Sequence, residues 1–123
     1  MKNKFEHPFN NDMLGVVWQA FKNLYADKVD KIRSICWIMD VHEFVEDKPD
    51  EETLGFTRFN MESNVADIMI GANITVYDSV YVFAHELAHV AAGPEHQHDD
   101  VFQCAYDSLC DEYNRIVDDI VKH

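Results

Sequence analysis

Residues 79–102 read Ser79-Val80-Tyr81-Val82-Phe83-Ala84-His85-Glu86-Leu87-Ala88-His89-Val90-Ala91-Ala92-Gly93-Pro94-Glu95-His96-Gln97-His98-Asp99-Asp100-Val101-Phe102, and the spacing inside this stretch decides what the chain builds. Val80, Phe83, Ala84, Leu87, Ala88 and Ala91 recur with helical period and predict a core-facing stripe on a helix over residues 79–92, with Asp78 or Ser79 as its cap. Gly93-Pro94 ends that helix, because glycine tolerates the left-handed cap position and proline cannot continue the ladder. His85 and His89 are four apart and therefore neighbours on an adjoining face. A His-Glu-x-x-His run on a helix offers two imidazoles to one metal ion and sets a carboxylate beside them. A hydrolytic zinc site needs three protein ligands and an open position, so a third ligand is expected from elsewhere, and His96 and His98 follow the turn directly.

Outward from this helix the periodicities alternate between helix and strand. Toward the N-terminus, Met13, Leu14, Val16, Val17, Trp18, Phe21, Leu24, Tyr25 and Val29 predict an amphipathic helix over 12–30, with capping side chains in Asn10-Asn11-Asp12. Ile35 to Val41, Leu54 to Phe59 and Ala66 to Ile70 are apolar, β-forming runs bounded by turn formers. The charged, Pro-containing segment 46–52 reads as a solvated hairpin connection between the first two of these. Asn73 to Tyr77 is either a further short strand or the lead into the next helix. Phe102, Ala105, Tyr106, Leu109, Tyr113, Ile116, Val117 and Ile120 predict a closing helix that packs back on the core. The expected fold class is α+β in one domain over 1–123: an N-terminal helix, a small and mostly antiparallel sheet, the His-bearing helix and a C-terminal helix.

Composition narrows the function classes. A net charge of −13 repels phosphate backbones and anionic lipid, so direct nucleic-acid binding is not expected and basic or neutral partners are. No apolar run reaches the roughly 20 residues of a membrane span and residues 1–8 lack the apolar core of a signal peptide, which makes a cytoplasmic location the default. Cys36, Cys104 and Cys110 form an odd set without Cys-x-x-Cys spacing and read as buried or half-buried free thiols.

The segment also resembles a family. His85-Glu86-Leu87-Ala88-His89, the Gly93-Pro94 turn and the run from His98 to Phe102 are similar to the active helix and following loop of small zincin proteases of the WLM and SprT (Spartan)-like group. The similarity covers about residues 66–117, with Ser79 to Ala84 before the motif and Tyr106, Leu109 and Tyr113 after it. The resemblance implies a minimal zincin-like core, Zn²⁺ held by His85, His89 and a third histidine, and Glu86 as the base that activates zinc-bound water to hydrolyse peptide bonds. In the WLM pattern the third His directly follows Gly-Pro; here Glu95 intervenes before His96. The spacing to Phe102 favours His98 over His96 as third ligand. A zincin subgroup that draws its ligand from the next helix would use Glu112, or less readily Asp111. The acidic charge does not suit the DNA-linked substrates of characterised relatives, and a peptide or protein substrate, reached through recruitment by another protein, fits this surface better.

Further candidates surround the motif. Tyr106, Tyr113 and Arg58 are candidate transition-state donors. Asp99, Asp100 and Asp107 could orient a ligand imidazole, or serve the start of a helix and its dipole. His7, His42 and His123 read as surface residues. Ala66 to Ile70 is the candidate edge strand for an extended substrate. Two rival functions remain: an acidic binding or inhibitor protein that mimics nucleic acid with structural or no zinc, and a zinc amidase acting on a non-peptide substrate.

Overall fold

The structure is a computed structural model of the 123-residue chain and describes residues 13–38, 55–72 and 74–122. Its elements run α1 (Met13–Leu24), a 3₁₀ turn (Ala26–Lys31), β1 (Ile32–Ile38), β2 (Gly55–Asn60), β3 (Val65–Gly71), α2 (Val76–Ala92) and α3 (Asp100–Lys122). This is a small α+β fold in which helices cover one face of a three-stranded sheet. No described helix is long and apolar enough to cross a membrane.

The strand order is β1-β3-β2, with β1 parallel and β2 antiparallel to the central β3. Two expectations change here. The sheet is mixed rather than mostly antiparallel. Segment 46–52, expected as a hairpin connection, lies outside the described residues. Ala66 to Ile70 is not an edge strand, since β3 pairs with β1 on one side and β2 on the other, and Ala66 through Gly71 is buried throughout.

Register decides which side chains meet the helices. Ile35 and Thr57 flank Ile68, Trp37 and Gly55 flank Ile70, and Ile32 and Phe59 flank Ala66. Directly opposed residues share a face, so Gly55, Thr57 and Phe59 join Ala66, Ile68 and Ile70 on the helix side. There the core closes around Val17, Phe21, Ile68, Ile70, Leu87 and Leu109. Trp18 stacks on Phe21 and Phe83 at 5.7 and 6.5 Å between ring centroids.

The opposite face carries Asp67, buried at 8% exposure. It accepts from the Arg33 guanidinium through both oxygens and from Ser34 Oγ at 2.7 Å, and these bonds, Arg33 first, hold its carboxyl below the usual range. A depressed carboxylate stabilises the fold above its unfolded value near 3.8 and loses that contribution as pH falls through the folded value. Asp67→Asn should therefore cost about 1–2 kcal/mol at neutral pH, discounted for the half-exposed Arg33. In urea melts at a series of pH values, the gap between variant and wild type should shrink below 3.8; a gap independent of pH would contradict this account.

The helix boundaries shift from expectation for local reasons. α1 stops at Leu24 and the chain tightens into the 3₁₀ turn, where Lys28 N–H donates to Tyr25 O at 2.8 Å, so the stretch 12–30 is not one helix. The caps proposed at Asn10 to Asp12 lie outside the described residues, as do His7, His42 and His123. α2 starts earlier than expected, because Thr75 rather than Asp78 or Ser79 caps it: its side chain accepts from Asp78 N–H at 3.0 Å. Cys36 and Cys104 are exposed and Cys110 is half-buried; all three are free. Cys36 sits on the sheet face away from the helices and Cys104 on the outer side of α3, so only one of the expected buried thiols is covered.

Candidate metal centre

α2 is buried on two sides. Val80, Phe83, Ala84, Leu87 and Ala88 enter the core, while Glu86 turns toward β2 and is buried at 4% exposure. His85 and His89 occupy the intervening strip, half-exposed, with ring centroids 5.0 Å apart. The chain then turns at Gly93, whose φ of 99° no branched residue adopts easily and whose N–H donates to His89 O.

The loop after Gly93 brings one further imidazole back to the pair. His98 adopts φ 51°, the left-handed region, directly before α3. Its Nε2 comes within 3.1 Å of His85 Nε2, and its ring lies 4.8 Å from that of His89. One ligand atom from each of His85, His89 and His98 lies within 4.8 Å of the others. Phe102, 4% exposed, forms the floor beneath them, 4.4 to 4.9 Å from all three rings.

The donor set fits a divalent ion of the zinc class. Tetrahedral ligation at the usual Zn–N length sets ligand nitrogens about 3.3 Å apart; His85 and His98 are 3.1 Å apart, and the separations within the group reach no more than 4.8 Å. Metal ligation also needs neutral rings. Burial, then the neighbouring His85 and His98, pushes the His89 imidazole down to about 4, and burial with His98 lowers His85. The three imidazoles thus lie close enough together to hold one metal ion, and His85 and His98 meet through their Nε2 atoms at 3.1 Å.

Glu86 stands beside the group and is held from β2. Thr57 Oγ1 donates to Glu86 Oε1 at 2.8 Å, with a longer contact of 3.3 Å to the Glu86 main-chain oxygen. Burial pushes the carboxyl up to about 7, and the Thr57 bond pulls the other way. Gly55 allows β2 to come this close: a Cβ there would stand 2.7 Å from Val82 Cγ1 and 2.9 Å from Met69 O.

These residues open onto a cleft of about 650 Å³ lined by β2, α2 and the loop before α3. Phe59, Tyr81, Val82, Pro94 and Tyr106 supply its apolar walls.

The remaining candidates fall elsewhere. His96 lines the cleft but stays outside the imidazole group, its Nδ1 paired with Asp99 Oδ2 at 2.7 Å. Asp99 also caps α3 by accepting from Phe102 N–H, so it fixes the loop rather than a ligand ring. Asp107 accepts from Gln103, and Asp100 lies in the first turn of α3. Glu112 accepts hydrogen bonds from Arg115 and then Asn23 at the α1 side of α3, which hold its carboxyl at about 2, and it does not line the cleft; Asp111 is exposed. Tyr106 lines the cleft with its hydroxyl pushed up to about 12 by burial. Tyr113 instead lines a separate cavity of about 190 Å³, and Arg58 projects from the far face of β2 over Phe56.

Thr57, Gly55 and Phe59 were not among the sequence candidates. The signal for them was their alternation within one strand, which becomes readable only once the face of β2 toward α2 is known. No protein-family model, curated protein or solved structure matches this chain.

Proposed function

We propose that the chain is a zinc-dependent hydrolase of peptide bonds, on the plan of the small zincin proteases that its motif resembles. The observation that carries this reading is the convergence of His85, His89 and His98 in a cleft that also holds Glu86. A Zn²⁺ ion held by the three imidazoles would supply Lewis acidity, polarising a substrate carbonyl and making an incoming water acidic.

The chain's own residues provide the rest. Glu86 accepts the proton that the water loses as its oxygen bonds to the carbonyl carbon, and returns it to the nitrogen as the C–N bond breaks. Tyr106 contributes its ring to the cleft wall, its hydroxyl being bonded to the Cys110 side chain. Phe102 keeps water from the back of the imidazoles. The strand edge that borders the cleft is β2, so an extended substrate would lie along Gly55 to Asn60. The acidic surface favours neutral or basic substrate proteins.

The test is cleavage of a fluorescence-quenched peptide mixture by zinc-loaded protein. Chelation by 1,10-phenanthroline should remove activity and stoichiometric Zn²⁺ should restore it. Cleavage that survives full chelation, or no cleavage by metal-loaded protein, would refute the proposal.

A further inference from the structure

We infer that Thr57 is a positioning residue that binds one oxygen of Glu86 and thereby assigns the other, Oε2, as the proton-accepting atom. The inference rests on the hydrolytic reading above for its functional consequence, but its geometry stands independently. Thr57 Oγ1 lies 2.8 Å from Glu86 Oε1. Its contact with the Glu86 main-chain oxygen, 3.3 Å away, ties the hydroxyl to the same residue twice.

The second oxygen is in a different situation. Among the described residues no side chain or main-chain group donates to Oε2, which lies 3.6 Å from where a Cβ on Gly55 would stand. Glu86 is 4% exposed yet lines the cleft, so with Oε1 bonded to Thr57 the oxygen left to take a proton there is Oε2. A buried side chain held at one atom also loses the rotation that would otherwise let either oxygen face the reacting water.

Register explains why residue 57 performs this role. Thr57 pairs with Ile68 and so faces the helices, whereas Phe56 and Arg58 pair with Met69 and Asp67 on the far side. Gly55, one pleat away on the helix face, provides the close approach that brings the hydroxyl within bonding distance of α2.

The test compares wild type with Thr57→Val, which keeps the branched shape and loses the donor, and Thr57→Ser, which keeps the donor. Zinc content and the KM for a fluorescence-quenched peptide should stay near wild type in both. The kcat should fall about tenfold to a hundredfold in Thr57→Val, the range for a hydrogen bond to a charged group, and recover to within about threefold in Thr57→Ser. The ¹³C resonance of the Glu86 carboxyl in metal-free protein should move in the valine variant and hold in the serine variant.

An unchanged kcat and carboxyl resonance in Thr57→Val, or equal damage in Thr57→Ser, overturns the inference. If wild type cleaves no peptide, the hydrolytic reading fails, and the resonance alone decides whether Thr57 holds the carboxylate. Should the valine variant not fold, the wild-type Thr57 hydroxyl proton is read directly: slow exchange with water supports the bond, and fast exchange overturns it.

Discussion

Glu86→Gln should lower kcat for peptide cleavage by about a hundredfold to ten-thousandfold, the contribution expected of a positioned general base. The amide has nearly the shape of the carboxylate, still accepts from Thr57 Oγ1 through its carbonyl oxygen, and cannot take a proton from water. Fold and metal content should therefore persist, and thermal melting of the metal-free variant should match or exceed wild type, because the buried site no longer has a carboxylate to desolvate. Single-turnover cleavage alongside zinc analysis separates the two effects. A glutamine variant that keeps its rate would remove Glu86 from the chemistry. One that loses zinc as well would make it a structural support for the imidazoles.

His98→Ala should weaken zinc binding by more than about a hundredfold, since losing a direct ligand costs at least as much as losing a group that merely orients one. His96→Ala should retain one ion per chain. The two histidines are separated by one residue and have opposite environments: His98 Nε2 faces His85, whereas His96 Nδ1 is paired with Asp99. Competition against a chromogenic chelator measures both variants on one scale. Equal loss in the two, or loss only in His96→Ala, would reassign the third ligand.

The parts of this arrangement that were legible in the sequence are those written within one helix. His85, Glu86 and His89 share a regular element with an apolar stripe, so a period of 3.6 residues fixes both which side enters the core and which carries the imidazoles. His98 was harder to separate from His96, because a turn has no period and a left-handed residue other than glycine leaves no compositional trace. Here the four-residue spacing to Phe102 pointed to His98, and in the structure the Phe102 ring lies under all three imidazoles.

Strand order was not legible. Ala66 to Ile70 has the same apolar run whether it lies at an edge or between two partners, and only pairing across long separations places it in the middle. The contribution of β2 was hidden for the same reason. Thr57 is an ordinary strand residue until register sets it opposite Ile68 and under Glu86. The early start of α2 was missed because Ile74, Thr75 and Val76 carry strand propensity, which a single capping bond from Thr75 overrides.

The central claim is that three imidazoles form one cation site. The direct measurement is a zinc titration of the chelator-stripped protein, followed by X-ray absorption at the zinc edge. The account predicts one equivalent bound per chain, with three imidazole nitrogens at about 2.0–2.1 Å. Binding that is absent, substoichiometric, or unaltered when His85, His89 and His98 are all replaced by alanine would contradict it.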